Sequence, residues 1–168
     1  MIEEAVKILY ALSSRDPVRL GMAAGLERNA KDKITFAPFA YVDPKNNLPI
    51  TFASLLRLYE KGDAIHFWGI ADGTGDSIIL SAHMYFDKYV WDTNYLNADI
   101  ISVDTIVKQK FYMQSISSAF GKKARYVEFF AEGTDKMGKL DWHGLRLVFV
   151  EQMGSYKIVG IVRGSHSV

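Results

Sequence analysis

One stretch constrains this chain more than any other: LDWHGLRLVFVEQMGSYKIVGIVR, Leu140–Arg163. It reads as two long strands reversing at Gln152-Met153-Gly154-Ser155, where Gly154 supplies the positive φ that a tight turn needs. Side chains alternate along a strand, so Leu145, Leu147 and Phe149 share one face and Arg146, Val148 and Val150 the other. By the same alternation Tyr156, Ile158 and Val162 oppose Lys157, Val159 and Ile161. Both faces are mostly apolar. Such a hairpin belongs inside a sheet that is covered on at least one side and curls to protect the other.

The 168 residues suit a single domain over 1–168 with one core. Hydrophobic residues make up 49% of the chain, which excludes disorder. The formal net charge is only +1, so there is no clustered positive charge to neutralise phosphates, and no nucleic acid is expected as a partner. With no cysteine there is no disulfide, no thiolate catalysis and no Cys-based zinc site. That fits the cytoplasm, and equally a bacterial envelope protein that does without disulfides. No apolar run approaches the roughly 18 residues of a membrane span. Glu3, Glu4 and Lys7 interrupt the first apolar register, so it is not expected to be a signal peptide.

Ile2, Val6, Leu9 and Leu12 recur at helical spacing. Asp16-Pro17 then looks like an N-cap and first helical residue, opening a short second helix through Leu20 to Ala24. Ile34 to Ala37 is a short strand that Pro38 should end or push to an edge. Thr51 can cap a helix through Phe52, Leu55, Leu56 and Tyr59, closed by Gly62. Ile65 to Ile70 and Ser77 to Leu80 read as partner strands, and Ser81 as the cap of an aromatic helix carrying Tyr85, Phe86 and Tyr89. Ile100 to Val107 and Arg125 to Phe130 have strand composition, while Phe111 to Phe120 is ambiguous because its serines weaken a helix. Helices gathered early and strands gathered late give an α+β class.

Two stretches carry a resemblance. One is Phe67-Trp68-Gly69-Ile70-Ala71-Asp72-Gly73-Thr74-Gly75-Asp76-Ser77-Ile78 with the aromatic-rich Tyr85-Phe86-Asp87-Lys88-Tyr89-Val90 behind it. The other is Asp141-Trp142-His143-Gly144-Leu145-Arg146-Leu147-Val148-Phe149 with Tyr156 to Ile161. Together they resemble a family of uncharacterised, commonly exported bacterial proteins, which implies a periplasmic or exported location and no known activity. That family usually carries a His-Pro pair ahead of the first strand, which Gly25 to Lys33 lacks here. The layout also resembles the NTF2-like, cystatin-related fold, which implies N-terminal helices packed on a curved, mainly antiparallel sheet ending in a long hairpin. Fold analogy of this kind leaves chemistry open.

Asp72, Thr74 and Asp76 are spaced like the start of a calcium loop. Ser77 stands where the turn glycine belongs and His83 where the bidentate glutamate belongs, so no metal is expected there. His66, His83, His143 and His166 form no metal-ligand spacing. His66 could pair across the sheet with Glu128 as an acid–base dyad, against the commoner fate of a histidine satisfied by packing. Arg146 sits between Leu145 and Leu147 in a strand too apolar to be open, so its charge must be paired or face a cavity. The structural reading is a bidentate pair with Glu128 or Asp141. The functional one is an anion pocket lined by Trp142 or Trp68.

The candidate ligand-binding set is therefore His66, Trp68, Glu128, Trp142 and Arg146, with no catalytic residue, metal or cofactor assigned. The expected function is a non-enzymatic binding domain of a bacterial envelope protein, taking a small molecule or a protein on its concave sheet face. Two alternatives stand beside it: an NTF2-like enzyme doing acid–base chemistry on a small organic molecule, and a structural oligomerisation module, with a homodimer as one form of self-association.

Overall fold

The chain begins with two helices, α1 (Ile2–Ser13) and α2 (Pro17–Ala23). Strand β1 (Lys33–Ala37), the two-residue β2 (Ile50–Thr51) and helix α3 (Phe52–Glu60) follow. A separate hairpin, β3 (Ile65–Ile70) and β4 (Ser77–Ser81), leads into α4 (Ala82–Tyr85) and a π-helical turn over Phe86–Val90. Then come β5 (Ile100–Val103), α5 (Met113–Phe120), β6 (Arg125–Ala131) and the long pair β7 (His143–Gln152) and β8 (Ser155–Ser165). This computed structural model describes residues 1–27, 31–47, 49–71, 74–108 and 113–165, with the side chains of 113 and 114 excepted. The architecture is α+β.

Local chemistry sets the helix ends as the residues dictate. Asp16 Oδ1 accepts the Val18 N–H at 2.8 Å, Thr51 Oγ1 accepts that of Ser54 at 3.2 Å, and Ser81 Oγ that of Met84 at 3.3 Å. Beyond α4 the helix widens: the Trp91 N–H reaches back five residues to the Phe86 carbonyl at 2.7 Å. The extra residue lets Tyr85, Phe86, Tyr89 and Val90 all turn into the core.

Six strands form one sheet in the order β2-β1-β8-β7-β6-β5. All neighbours are antiparallel except β1 and β8, which run parallel with Thr35 opposite Gly160. The β7–β8 register runs from His143 opposite Ser165 to Gln152 opposite Ser155. Met153 joins Gly154 at positive φ, 49° and 78°, because a two-residue hairpin loop of this hand needs both central residues there. A bulge where Val148 and Phe149 meet β8 breaks strict alternation. As a result Ile158 and Ile161 both join the helix-side core, while Val162 faces the opposite way. Simple period-two counting puts Ile158 with Val162, and the bulge overturns it.

Both sheet faces are covered. On one, Val127, Phe129, Leu145, Leu147, Phe149 and Ile161 pack under Ile8, Leu9 and Leu12 of α1, Leu55 of α3 and Tyr85 and Phe86. On the other, Tyr126, Val148 and Val162 pack with Ile106 and with Ile116 of α5. Gly160 admits that second layer, since a Cβ there would meet the Phe120 ring at 2.5 Å. The stretch from 100 to 107 is a strand only to Val103, where Asp104 turns at φ 52°. Of the ambiguous segment, Phe111 and Tyr112 lie outside the described residues and the remainder is α5.

Candidate functional site

The β6–β7 register sets Glu128 directly opposite Arg146, on the face beneath α5. Both side chains are 0% exposed. Arg146 Nε donates to Glu128 Oε1 at 2.8 Å, and the Val107 backbone N–H donates to Glu128 Oε2 at 2.6 Å. Two glycines make the room. A Cβ at Gly144 would come to 3.1 Å of Glu128 Oε1, and one at Gly164 to 2.7 Å of Arg146 Nη2. The pair is thus laid flat over bare backbone on β7 and β8.

The contact is single, where a bidentate one is the expectation from the sequence. Arg146 Nη1 and Nη2 are buried and make no hydrogen bond among the described residues, and nor does the buried Tyr126 hydroxyl two residues before Glu128. Arginine cannot shed its proton to escape, and a buried unpartnered donor costs on the order of 1–3 kcal/mol, more when charged. Asp141, the other expected partner, instead accepts from the Thr134 N–H at 2.6 Å and its hydroxyl at 2.8 Å. Those bonds hold its carboxyl below the usual range against the opposing pull of desolvation.

Trp142 lies just beyond the pair. It stacks on Phe130, ring centroids 5.7 Å apart, and Phe130 is itself opposite Gly144. These two rings line a cleft of about 340 Å³ together with Ile100, Val107, Lys108 and Lys139. Val107, whose N–H is held by Glu128, therefore stands between the cleft and the ion pair.

Trp68 and His66 go elsewhere. Trp68 belongs to the helix-side core, stacked on Tyr85 at 4.0 Å, with its Nε1–H donating to the Leu80 carbonyl at 3.0 Å. His66 sits edge-on to it at 5.0 Å, and burial lowers its pKa. Because β3 and β4 form their own sheet over the helix-side core, the His66–Glu128 dyad is not formed. The five candidates divide into Glu128, Trp142 and Arg146 on one side of the main sheet, and His66 and Trp68 on the other.

A histidine–carboxylate pair exists where the sequence gives no hint of it. Asp92 Oδ2 accepts from His143 Nδ1 at 2.8 Å and from Arg163 Nε at 2.6 Å, and Oδ1 accepts the Tyr95 hydroxyl at 2.6 Å. Arg163 Nη1 also donates to Ser165 Oγ at 2.7 Å. Burial pushes the Asp92 carboxyl up, but the donors from His143, Arg163 and Tyr95 win and hold it at about 2. His143 meets the carboxylate through Nδ1, on the same oxygen to which Arg163 donates. The imidazole is 28% exposed against 9% for Asp92. His143 and Arg163, on the β7 and β8 ends, meet an aspartate 51 and 71 positions earlier, beyond the reach of any local pattern.

No group of three or more metal-ligating side chains occurs among the described residues, and Asp72 and His166 lie outside them. No described helix is long and apolar enough to cross a membrane. Set against protein-family models, curated proteins and solved structures, the chain matches none of them.

Proposed function

We propose that this chain is a non-enzymatic binding domain whose small-molecule ligand is anchored by the free edge of the Arg146 guanidinium. One observation carries the reading: a fully buried arginine spends only Nε on its carboxylate and leaves Nη1 and Nη2 unpartnered. An arginine kept for structure alone would be expected to have its donors satisfied. Trp142 and Phe130 stack on each other and line a cleft with Val107, whose N–H donates to Glu128; in this reading a ligand reaches the guanidinium from that cleft by displacing Val107 or Phe130. Core side chains cover both sheet faces, so in this reading the ligand displaces part of the layer over Arg146. The layout of helices on a mainly antiparallel sheet with a terminal long hairpin suits an NTF2-like scaffold. A bacterial envelope location is carried forward from the motif resemblance.

The test is a nuclear magnetic resonance screen of the full chain against small ring compounds. Amide shifts grouped at residues 107, 144–148 and 162–164 are expected. Shifts confined to other surfaces would overturn the reading.

A second reading, acid–base catalysis, rests on the 2.8 Å contact of the part-exposed His143 imidazole with Asp92. Hydrolysis of p-nitrophenyl acetate that falls at least tenfold in both His143→Gln and Asp92→Asn would favour it. A rate equal to buffer alone would remove it.

A further inference from the structure

We infer that the group recognised by Arg146 is an uncharged acceptor on a flat ring, a ring ketone or lactam carbonyl, and not a carboxylate or phosphate. The inference rests on the binding reading above and narrows it to a ligand class.

Charge decides it. The buried guanidinium is already balanced by Glu128, which lies against it with no water between them at 2.8 Å. An anion placed on Nη1 and Nη2 would leave a net negative charge in a site shielded from solvent, with Glu128 repelling it at short range. Low effective dielectric makes that repulsion count. A carbonyl oxygen avoids the cost. It still takes charge-assisted hydrogen bonds from two N–H groups that diverge in one plane. Lys108 and Lys139 do not change the balance: they line the outer cleft, and Lys139 is half-exposed and already shared between Glu132 and Asp135.

The other groups exclude a ligand that leads with donors. Nη1 and Nη2 only donate, so the recognised group must accept. The Tyr126 hydroxyl, buried on the same sheet face without a partner, can donate as well. Phe130 and Trp142 form a stacked aromatic wall, which favours a flat body over a branched or strongly hydrated one. Gly144 and Gly164 carry the carboxylate and the guanidinium directly on their backbone, so the ion pair itself is the surface that a ligand would meet.

Acetophenone and benzoate separate the alternatives, because they share size and shape and differ in charge. Each is titrated into the full chain at neutral pH and followed by amide shifts at residues 144–148 and 162–164. Acetophenone should bind at least tenfold more tightly than benzoate. Arg146→Lys keeps a cation for Glu128, and so the fold, but removes the planar edge. It should abolish the acetophenone response while leaving the spectrum dispersed. If benzoate binds as tightly or more tightly, and Arg146→Lys abolishes that, the binding reading stands and the ligand class is wrong. If neither compound gives a response that depends on residue 146, the binding reading itself falls, and this inference with it.

Discussion

The two arginine–carboxylate clusters lie on opposite faces of the same end of one sheet, and they differ in completeness. Around Asp92 the carboxylate is saturated: His143, Arg163 and Tyr95 all donate to it, and it ties the segment after the π-helical turn to the ends of β7 and β8. Around Glu128 the carboxylate is also met, by Arg146 and the Val107 N–H, but the arginine is not. A saturated cluster behaves as a staple. A cluster with buried donors left over is either a standing cost or a place for something else to bind. Burial alone therefore does not distinguish a structural ion pair from a recognition site, and the unused donors are what makes the Glu128 cluster worth testing.

The hardest way to break the comparison is Glu128→Gln, which strands the Arg146 charge. Urea unfolding should show a loss on the order of 3–5 kcal/mol. Adding Arg146→Met should recover most of it, because the double variant removes both buried charges. Full recovery would mean that the pair adds nothing to stability, which strengthens its assignment to binding. No recovery would make the pair a structural element like the Asp92 cluster.

Asp92→Asn comes next, with an expected loss of about 2–3 kcal/mol near neutral pH. Its pH dependence gives a sharper check. The folded carboxyl is held near 2, below the roughly 3.9 of an unfolded aspartate. The stabilisation it gives is thus complete above about pH 4 and disappears as pH falls through about 2. Acid unfolding of the native chain should be steeper across that window than that of Asp92→Asn. Parallel curves would show that the carboxylate is not the staple described here.

The smallest expected effect is a control outside both clusters. Met153 is exposed and holds φ at 49°, which asparagine adopts more readily. Met153→Asn should raise stability by about 0.5–1 kcal/mol and add independently to the changes above. Coupling to either cluster would imply that the turn senses the far end of the hairpin.

The sequence makes the unsatisfied cluster easier to foresee than the satisfied one. A charge inside LRLVF has to be explained, and the nearest strand of matching composition carries Glu128. Asp92 sits in a stretch that reads as an ordinary helix end, and His143 and Arg163 fall at strand ends where polar residues raise no question. The caps of α2, α3 and α4 are legible because one side chain within three residues settles each. The bulge beside Val148, the π-helical turn and the second covering layer are not. Each depends on what packs against the segment, as with Gly160, which reads as a weak strand residue until Phe120 is laid over it. The direction of β1 was equally closed to view, since KITFA has the same apolar content whichever way it runs.

That parallel pairing has a consequence for how the chain acquires its shape. The β7–β8 hairpin can form from neighbours in sequence, but β1 meets β8 only across most of the chain. The Lys157–Asp32 ion pair beside it spans 125 residues. Closing so long a loop costs entropy before any contact repays it, so β1 and its β2 partner should dock late. On the ribosome, Lys33–Ala37 emerges long before the strand it will pair with. Until then it leaves an apolar strand edge uncovered, which makes the interval before β8 appears the time of greatest exposure to misassociation.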